Sequence, residues 1–271
     1  KMRILISLFC LVFLLSFPTA AWGQNNDSSS QITEEQLQKG DEIAEKAFEA
    51  LKEGDFAQSE TYWGELIQLF PRNPAVWSNR GNVRLSQSKI EGAINDYNHA
   101  ITLAPNQPDP YLNRGIAYEI VQDWERAIED YNQVLGLNPD DAMAYNNRGN
   151  AKAGKGDYQE AITDYEKASS LNPDFAIARS NAALSHYQVG DEQEALDETR
   201  KLVRKYPNFP DVRAALTAML WAERQEGEAE SNWVAVMGSD PRYRDVEWLE
   251  KVRRWPPRMV RAIDNFLSLN N

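Results

Sequence analysis

The sequence has little of the chemistry that enzymes and metal sites usually need. Its 271 residues include one cysteine, Cys10, and two histidines, His99 and His186. Neither histidine is accompanied by a nucleophile pattern or by metal-ligand spacing, and we find no phosphate-binding loop and no serine elbow. The sequence therefore predicts no enzyme, no cofactor and no metal site. Paired carboxylates leave an unrecognised hydrolase as an alternative, but such pairs are usually solvated faces in acidic helical proteins.

Basic residues are also scarce, with 29 Lys and Arg against 41 Asp and Glu and a net charge of -12. Non-specific binding to a nucleic-acid backbone needs clustered Lys and Arg, so the composition argues against it and predicts no nucleic-acid partner. An acidic surface keeps a protein soluble and is compatible with basic or neutral protein partners.

The N-terminal segment differs from the acidic remainder. Lys1 and Arg3 precede an uncharged run from residue 4 to 17, and Pro18 and small residues follow. This order is typical of a secretory signal peptide over residues 1–23, with cleavage before Gln24. An uncleaved anchor is the alternative, because about 20 apolar residues can span a bilayer. Either reading places the rest of the chain outside the cytoplasm. Cleavage would remove Cys10 and with it disulfides, thiol catalysis and cysteine-ligated metal.

The main body has an internal period of 34 residues, which shows most plainly in its prolines. They recur at Pro71, Pro105, Pro139, Pro173, Pro207 and Pro241. Small residues recur in phase with them at Ser59, Ala93, Ala127, Ala161, Ala195 and Ala229. A third series is aromatic except at Thr199: Trp63, Tyr97, Tyr131, Tyr165 and Trp233. Each 34-residue period predicts two helices joined by a turn, such as Gly156-Asp157, with a proline that ends the second helix.

This pattern resembles the tetratricopeptide repeat, in a bacterial and particularly cyanobacterial style. The resemblance covers six repeats over residues 40–243, preceded by a leader and the start of the first helix at 24–39. It implies an all-α fold, a right-handed superhelical α-solenoid of six helix-turn-helix repeats, with capping helices at 244–271. Such repeats stack because no single helix pair can bury its apolar face.

In proteins of this family the first helices of successive repeats line a concave groove that binds ligand peptides. The equivalent positions in the first helices of this sequence are rich in asparagine: Asn79, Asn82, Asn113, Asn147, Asn150 and Asn181. Amide side chains both donate and accept hydrogen bonds, so this series can hold the backbone of an extended peptide. The alternative is that these side chains satisfy backbone groups between helices.

Three arginines occupy a phase where an apolar residue is usual, and three aspartates follow them sixteen residues later. The pairs are Arg80 with Asp96, Arg114 with Asp130, and Arg148 with Asp164. Repeats that lack the arginine also lack the aspartate. We therefore expect structural ion pairs that join the two helices of a repeat, because a charge at a core-facing position needs a partner. Ligand binding by these arginines is the alternative.

The C-terminal residues predict two amphipathic segments that cover the last repeat. Trp248, Leu249, Val252 and Trp255 would share one helical face, and Met259, Ile263 and Phe266 would lie on the next. The same region forms a basic patch that could contact anionic lipid or an acidic subunit: Lys251, Arg253, Arg254, Arg258 and Arg261.

The predicted function is a scaffold or assembly factor that binds extended segments of other proteins, in the periplasm, the thylakoid lumen or the secreted space. The alternatives are a self-associating structural protein and a peripheral subunit of a membrane complex held by the basic patch.

Overall fold

A computed structural model describes residues 32–269, which contain helices and no β-strand. They divide into two compact units, one ending at Asp123 and the other beginning at Trp124. The predicted signal peptide and most of the leader lie outside the described residues. None of the helices between residues 32 and 269 combines the length and apolar content needed to cross a bilayer.

The N-terminal unit contains two complete helical hairpins and one further helix. Its helices are α1 (Glu34–Lys52), α2 (Phe56–Leu69), α3 (Pro74–Ser86), α4 (Ile90–Leu103) and α5 (Pro108–Ile120). Helix α1 packs on α2 and α3 packs on α4, while α3 also lies beside α5. First helices of successive repeats are therefore neighbours in this unit.

The C-terminal unit continues the same alternation and ends in two further helices. It contains α6 (Trp124–Leu137), α7 (Ala142–Lys155), α8 (Tyr158–Leu171), α9 (Ala176–Val189), α10 (Glu192–Lys205), α11 (Pro210–Ala222), α12 (Glu226–Ser239), a 3-10 turn (Pro241–Arg244), α13 (Val246–Lys251) and α14 (Pro257–Leu269). Each helix from α6 to α11 packs on the next one along the chain. This order confirms the predicted helix-turn-helix repeats.

The helix ends follow from local sequence. Thr33 accepts a hydrogen bond from the Gln36 backbone N–H, and the Gln36 side chain accepts one from the Thr33 N–H, so the two residues form a capping box at the start of α1. Pro74 and Pro108 occupy first helical positions, where a missing N–H costs nothing. Gly156 ends α7 with a φ of 93°, a left-handed conformation that a side chain would strain.

Glycines of the first helices meet the aromatic series where the two helices of a repeat cross. A Cβ atom added to Gly149 would lie 2.7 Å from Cε1 of Tyr165, and the same distance separates a Cβ at Gly81 from Cε1 of Tyr97. Both tyrosines are buried. Glycine is therefore required here by a close ring contact.

The C-terminal cap packs against first helices. Helix α14 lies on α9 and α11, and Met259, Ile263 and Phe266 are fully buried there. The prediction of one helical face from Trp248 to Trp255 is wrong. Helix α13 ends at Lys251, and Val252 is 46% exposed. Trp255 precedes two prolines, which disfavour the helical conformation.

Candidate partner-binding face

In the N-terminal unit, two asparagines of the predicted groove present amides without a described partner. Asn79 on α3 and Asn113 on α5 are half-buried and occupy equivalent positions of adjacent helices. No hydrogen bond to either side chain is found among residues 32–269. Asn82, one turn after Asn79, accepts a hydrogen bond from the Tyr97 hydroxyl at 2.8 Å. This asparagine face, which we define as Asn79, Asn82 and Asn113, offers donors and acceptors to a ligand.

In the C-terminal unit the predicted groove asparagines bond to one another. Asn181 on α9 donates to Asn146 and to Asn150 on α7, at 3.2 Å in both cases. Asn150 also accepts from the Tyr165 hydroxyl at 3.0 Å, and Asn146 donates to Asn147 at 3.3 Å. Here the amides join two first helices, so much of their hydrogen-bonding capacity is used within the protein. These contacts join side chains to side chains and do not follow the expected alternative of bonding to backbone groups.

The structure places Arg80 and Asp96 in bidentate contact between α3 and α4. Arg80 Nε and Nη2 donate to the two carboxylate oxygens of Asp96 at 3.0 and 2.7 Å. Arg84, one turn along α3, donates to the same carboxylate at 2.9 Å and to Glu60 of the preceding repeat at 2.8 Å. Asp96 is buried, and two cations neutralise it.

The C-terminal unit repeats this arrangement between α7 and α8. Arg148 donates to Asp164 at 2.9 and 2.7 Å, and Lys152 lies 2.8 Å from the same carboxylate. Arg148 also donates to Asn132 of the preceding repeat at 2.7 Å. The hydrogen bond to Asp164 raises the pKa of Arg148 against the opposing effect of burial. Each such arginine therefore fixes the helices that carry the neighbouring asparagines.

The third pair falls on either side of the division between the compact units. Arg114 belongs to α5 of the N-terminal unit, and Asp130 belongs to α6 of the C-terminal unit. Within its own unit, Arg114 donates to Asn98 on α4 at 2.6 Å. The pairing of Arg114 with Asp130 stays a prediction.

Most of the predicted basic patch is engaged inside the C-terminal unit. Arg253 lies 2.8 Å from Asp211, Lys251 lies 2.6 Å from Glu247, and the Arg258 guanidinium contacts Glu192. The Arg254 guanidinium lies 5.3 Å from the centre of the Trp124 ring. Among the described residues, Arg261 alone of the five has no ion pair or ring contact and is exposed. The geometry thus gives these cations mainly structural contacts.

A polar anchor at the start of α11 was not predicted from the sequence. Asp211 is buried and accepts hydrogen bonds from Tyr243 at 2.9 Å, Arg253 at 3.0 Å and Trp255 at 3.1 Å. Burial and then the Asp211 carboxylate raise the pKa of the Tyr243 hydroxyl. An aspartate at this phase also occurs at Asp109, where it is exposed, so the residue type alone did not reveal the anchor.

The repeat geometry defines a helical-repeat protein whose first helices form neighbouring faces. Matches to family models lead to the same conclusion. A model described as TPR repeat matches residues 81–119 and 122–156, and two described as tetratricopeptide repeat match residues 142–175 and 177–208. The chain therefore contains tetratricopeptide repeats over the matched residues.

Solved structures support the fold. A tetratricopeptide repeat protein from Parabacteroides merdae is 20% identical, with a TM-score of 0.68 over 86% of this chain and 98% of that chain. A MamA fragment from Desulfovibrio magneticus is 18% identical, with a TM-score of 0.58 over 61% of this chain and 94% of that one. YrrB, described as having an unusual peptide-binding site, is 16% identical, with a TM-score of 0.54 over 66% and 92%. A comparison with curated proteins finds no match.

Proposed function

We propose that this protein is a non-enzymatic scaffold that binds extended segments of partner proteins on its asparagine face. The observation that carries the proposal is the pair of half-buried amides, Asn79 and Asn113, which have no hydrogen-bond partner among the described residues. Polar groups that are partly removed from water favour hydrogen-bonded states, so a peptide backbone is a suitable ligand. The peptide-binding site described for YrrB is consistent with this use of the fold.

The surroundings of the asparagine face support a site prepared before binding. Arg80 and Arg84 fix α3 to α4 through Asp96, and Asn82 is oriented by Tyr97. Side chains held in this way lose less freedom when a ligand binds, which favours affinity. An extended segment that pairs mainly through its backbone would be held with little sequence preference.

Photo-crosslinking tests this proposal. A photoreactive amino acid replaces Ser86, an exposed residue one turn after Asn82 on α3, and in a second protein it replaces Asn95, an exposed residue of α4. We expect a crosslinked partner from position 86 and none of the same mass from position 95. Equal crosslinking from both positions, or none from position 86 in the native compartment, would show that the asparagine face is not the binding site.

We further propose that the protein acts outside the cytoplasm, in the periplasm or thylakoid lumen, where assembly of a membrane complex is a fitting task. The support is the charge and apolar pattern of residues 1–23. Fusion of residues 1–31 to a reporter that is active only after export tests this placement. Export should fail when Leu14→Arg interrupts the apolar run, while Ser16→Ala should leave it unchanged. An inactive fusion with the unchanged segment would refute the placement.

A further inference from the structure

The first-helix face changes character along the C-terminal unit. The positions held by Asn146 and Asn150 in α7 become Ser180 and Leu184 in α9, and then Ala214 and Ala218 in α11, at intervals of 34 residues. All four positions in α9 and α11 are buried. The series of asparagines after Asn147 and Asn181 ends in the same way, at a buried Ala215. The polar face therefore gives way to an apolar one within this unit.

Helix α14 covers that apolar face. Met259, Ile263 and Phe266 share one core cluster with Leu184 of α9 and Ala218 of α11. The ring of Phe266 also packs in a T-shaped arrangement with two tryptophans, Trp221 and Trp233, each 5.3 Å away between ring centres. The helix thus occupies, in its own unit, the face of the first helices on which this fold can hold a ligand.

Polar groups at the end of α9 and at the start of α10 contact the start of α14. Pro257 has no N–H, and the first free backbone N–H, from Arg258, donates to Gln188 Oε1 at 2.8 Å. The Arg258 guanidinium donates to the Tyr187 carbonyl at 3.1 Å, contacts Glu192 and lies 5.0 Å from the centre of the Tyr187 ring. These contacts cap the N-terminus of α14 and hold the Arg258 guanidinium beside it. They therefore fix the direction in which α14 lies on the face.

The connection to α14 and its outer side are both compatible with a separable helix. Residues 252–256 form no helix, and Arg254 has a left-handed φ of 53°. The outward side of α14 is exposed at Arg261, Asp264 and Asn265. Helix α14 is therefore amphipathic, and it follows a non-helical segment whose Arg253 and Trp255 can stay bonded to Asp211 when the helix leaves.

We propose that the face formed by α9 and α11 is a binding site for an amphipathic helix, with α14 as its resident occupant. The partner that fits is a protein helix bearing an arginine followed by apolar residues one, five and eight positions later, as in Arg258, Met259, Ile263 and Phe266. Glu192 and Gln188 select the arginine and the helix start, and the apolar face accepts the remaining three side chains. Such a partner competes with α14. The site uses residues other than the asparagine face, so the two proposals stand or fall separately.

Binding of a labelled peptide with residues 254–271 to the full chain tests the site. The variant Ile263→Asp with Phe266→Asp weakens the resident helix, and Asp264→Asn with Asn265→Ser changes exposed residues of the same helix as a control. We expect the peptide to bind the first variant at least about tenfold more tightly than the control or the unaltered chain. An Arg258→Glu peptide should lose at least about tenfold of this affinity. Absence of binding to the first variant, or equal binding to all proteins, overturns the proposal.

If the first variant does not fold, hydrogen exchange on the unaltered chain tests whether α14 can leave the face formed by α9 and α11. We expect amides of α14 to exchange faster than those of α9 and α11, because release of α14 opens only part of the unit. Exchange of α14 at the same rate as the most protected amides of α11 would show that the helix leaves only on global unfolding. That result also overturns the proposal.

Discussion

Replacement of Asp211 by alanine should release the C-terminal cap. The Asp211 carboxylate accepts hydrogen bonds from Tyr243, Arg253 and Trp255, and it is buried together with Tyr243 and Trp255. These donors come from the 3-10 turn and from the segment between α13 and α14. One side chain of α11 therefore holds both ends of α13.

The cost of this substitution follows from what it leaves behind. Removing one partner of a buried ion pair costs about 3–5 kcal/mol, because the other charge stays uncompensated. Arg253 is 29% exposed and regains some hydration, which favours the lower end, about 3 kcal/mol. Asp211→Asn keeps an acceptor for the three donors but leaves the Arg253 charge uncompensated, so its cost should lie below that of Asp211→Ala and above that of an exposed aspartate.

Urea denaturation and hydrogen exchange of α14 measure the effect. Asp140→Ala is the control, because Asp140 is an exposed aspartate of the same unit, in the turn before α7. We expect Asp211→Ala to lower the free energy of unfolding of the C-terminal unit and the protection of α14, and we expect the control to change it by about 0.5 kcal/mol or less. Equal effects of the two substitutions would refute the role of Asp211 as an anchor.

Two further predictions concern the repeats themselves. Gly149→Ala should destabilise the protein by about 1–3 kcal/mol, since its Cβ would lie 2.7 Å from the Tyr165 ring. Gly136 has open space around it, so Gly136→Ala should be neutral or should stabilise the protein by up to about 1 kcal/mol. Burial raises the pKa of Glu60, but hydrogen bonds from Lys89, Arg84 and Gln87 outweigh it and lower the pKa to about 2. This depressed pKa gives stability that is present above the unfolded pKa near 4.5 and is lost as the pH falls towards 2, and Glu60→Gln should remove that dependence.

Thermal and urea unfolding check both predictions. Equal stability changes for the two glycine variants would show that the tyrosine ring moves aside without cost. For Glu60, unfolding is measured from pH 6 to pH 2 for the unaltered chain and for Glu60→Gln. Because Glu60 and its partners are partly solvated, the free energies of unfolding of the two proteins should differ by about 1 kcal/mol or less. Parallel curves for the two proteins would contradict the assigned role of Glu60.

Much of the fold could be predicted because the same helical hairpin recurs every 34 residues. The prolines and glycines mark helix ends through backbone geometry, and the paired occurrence of Arg80 with Asp96 and of Arg148 with Asp164 indicated contact across a hairpin. The second cations, Arg84 and Lys152, follow their arginines by four residues, so a helical-wheel comparison could have found them.

The packing of the C-terminal cap and the hydrogen-bond partners of the asparagines could not be predicted in the same way. Nothing repeats in residues 244–271, so no second copy shows which positions are buried. The role of Asp211 as an anchor depends on its contacts with Tyr243, Arg253 and Trp255, which no repeated pattern indicates. Asn150 and Asn181 have the same residue type and phase as their counterparts in the N-terminal unit. Only the three-dimensional contacts show that they bond to each other, while Asn79 and Asn113 have no described partner.

Partner affinity after loss of the two amides tests the asparagine face as a binding site most directly. Once crosslinking at position 86 has identified a partner segment, its dissociation constant is measured by calorimetry for the unaltered chain, for Asn79→Ala with Asn113→Ala, and for the control Asn95→Ala with Asn106→Ala, whose residues are exposed outside the asparagine face. With about 1 kcal/mol for each lost hydrogen bond, the face variant should bind about 10- to 30-fold more weakly, while the control should bind as the unaltered chain does. Unchanged affinity of the face variant, with an unchanged helical spectrum, would show that the partner is held elsewhere.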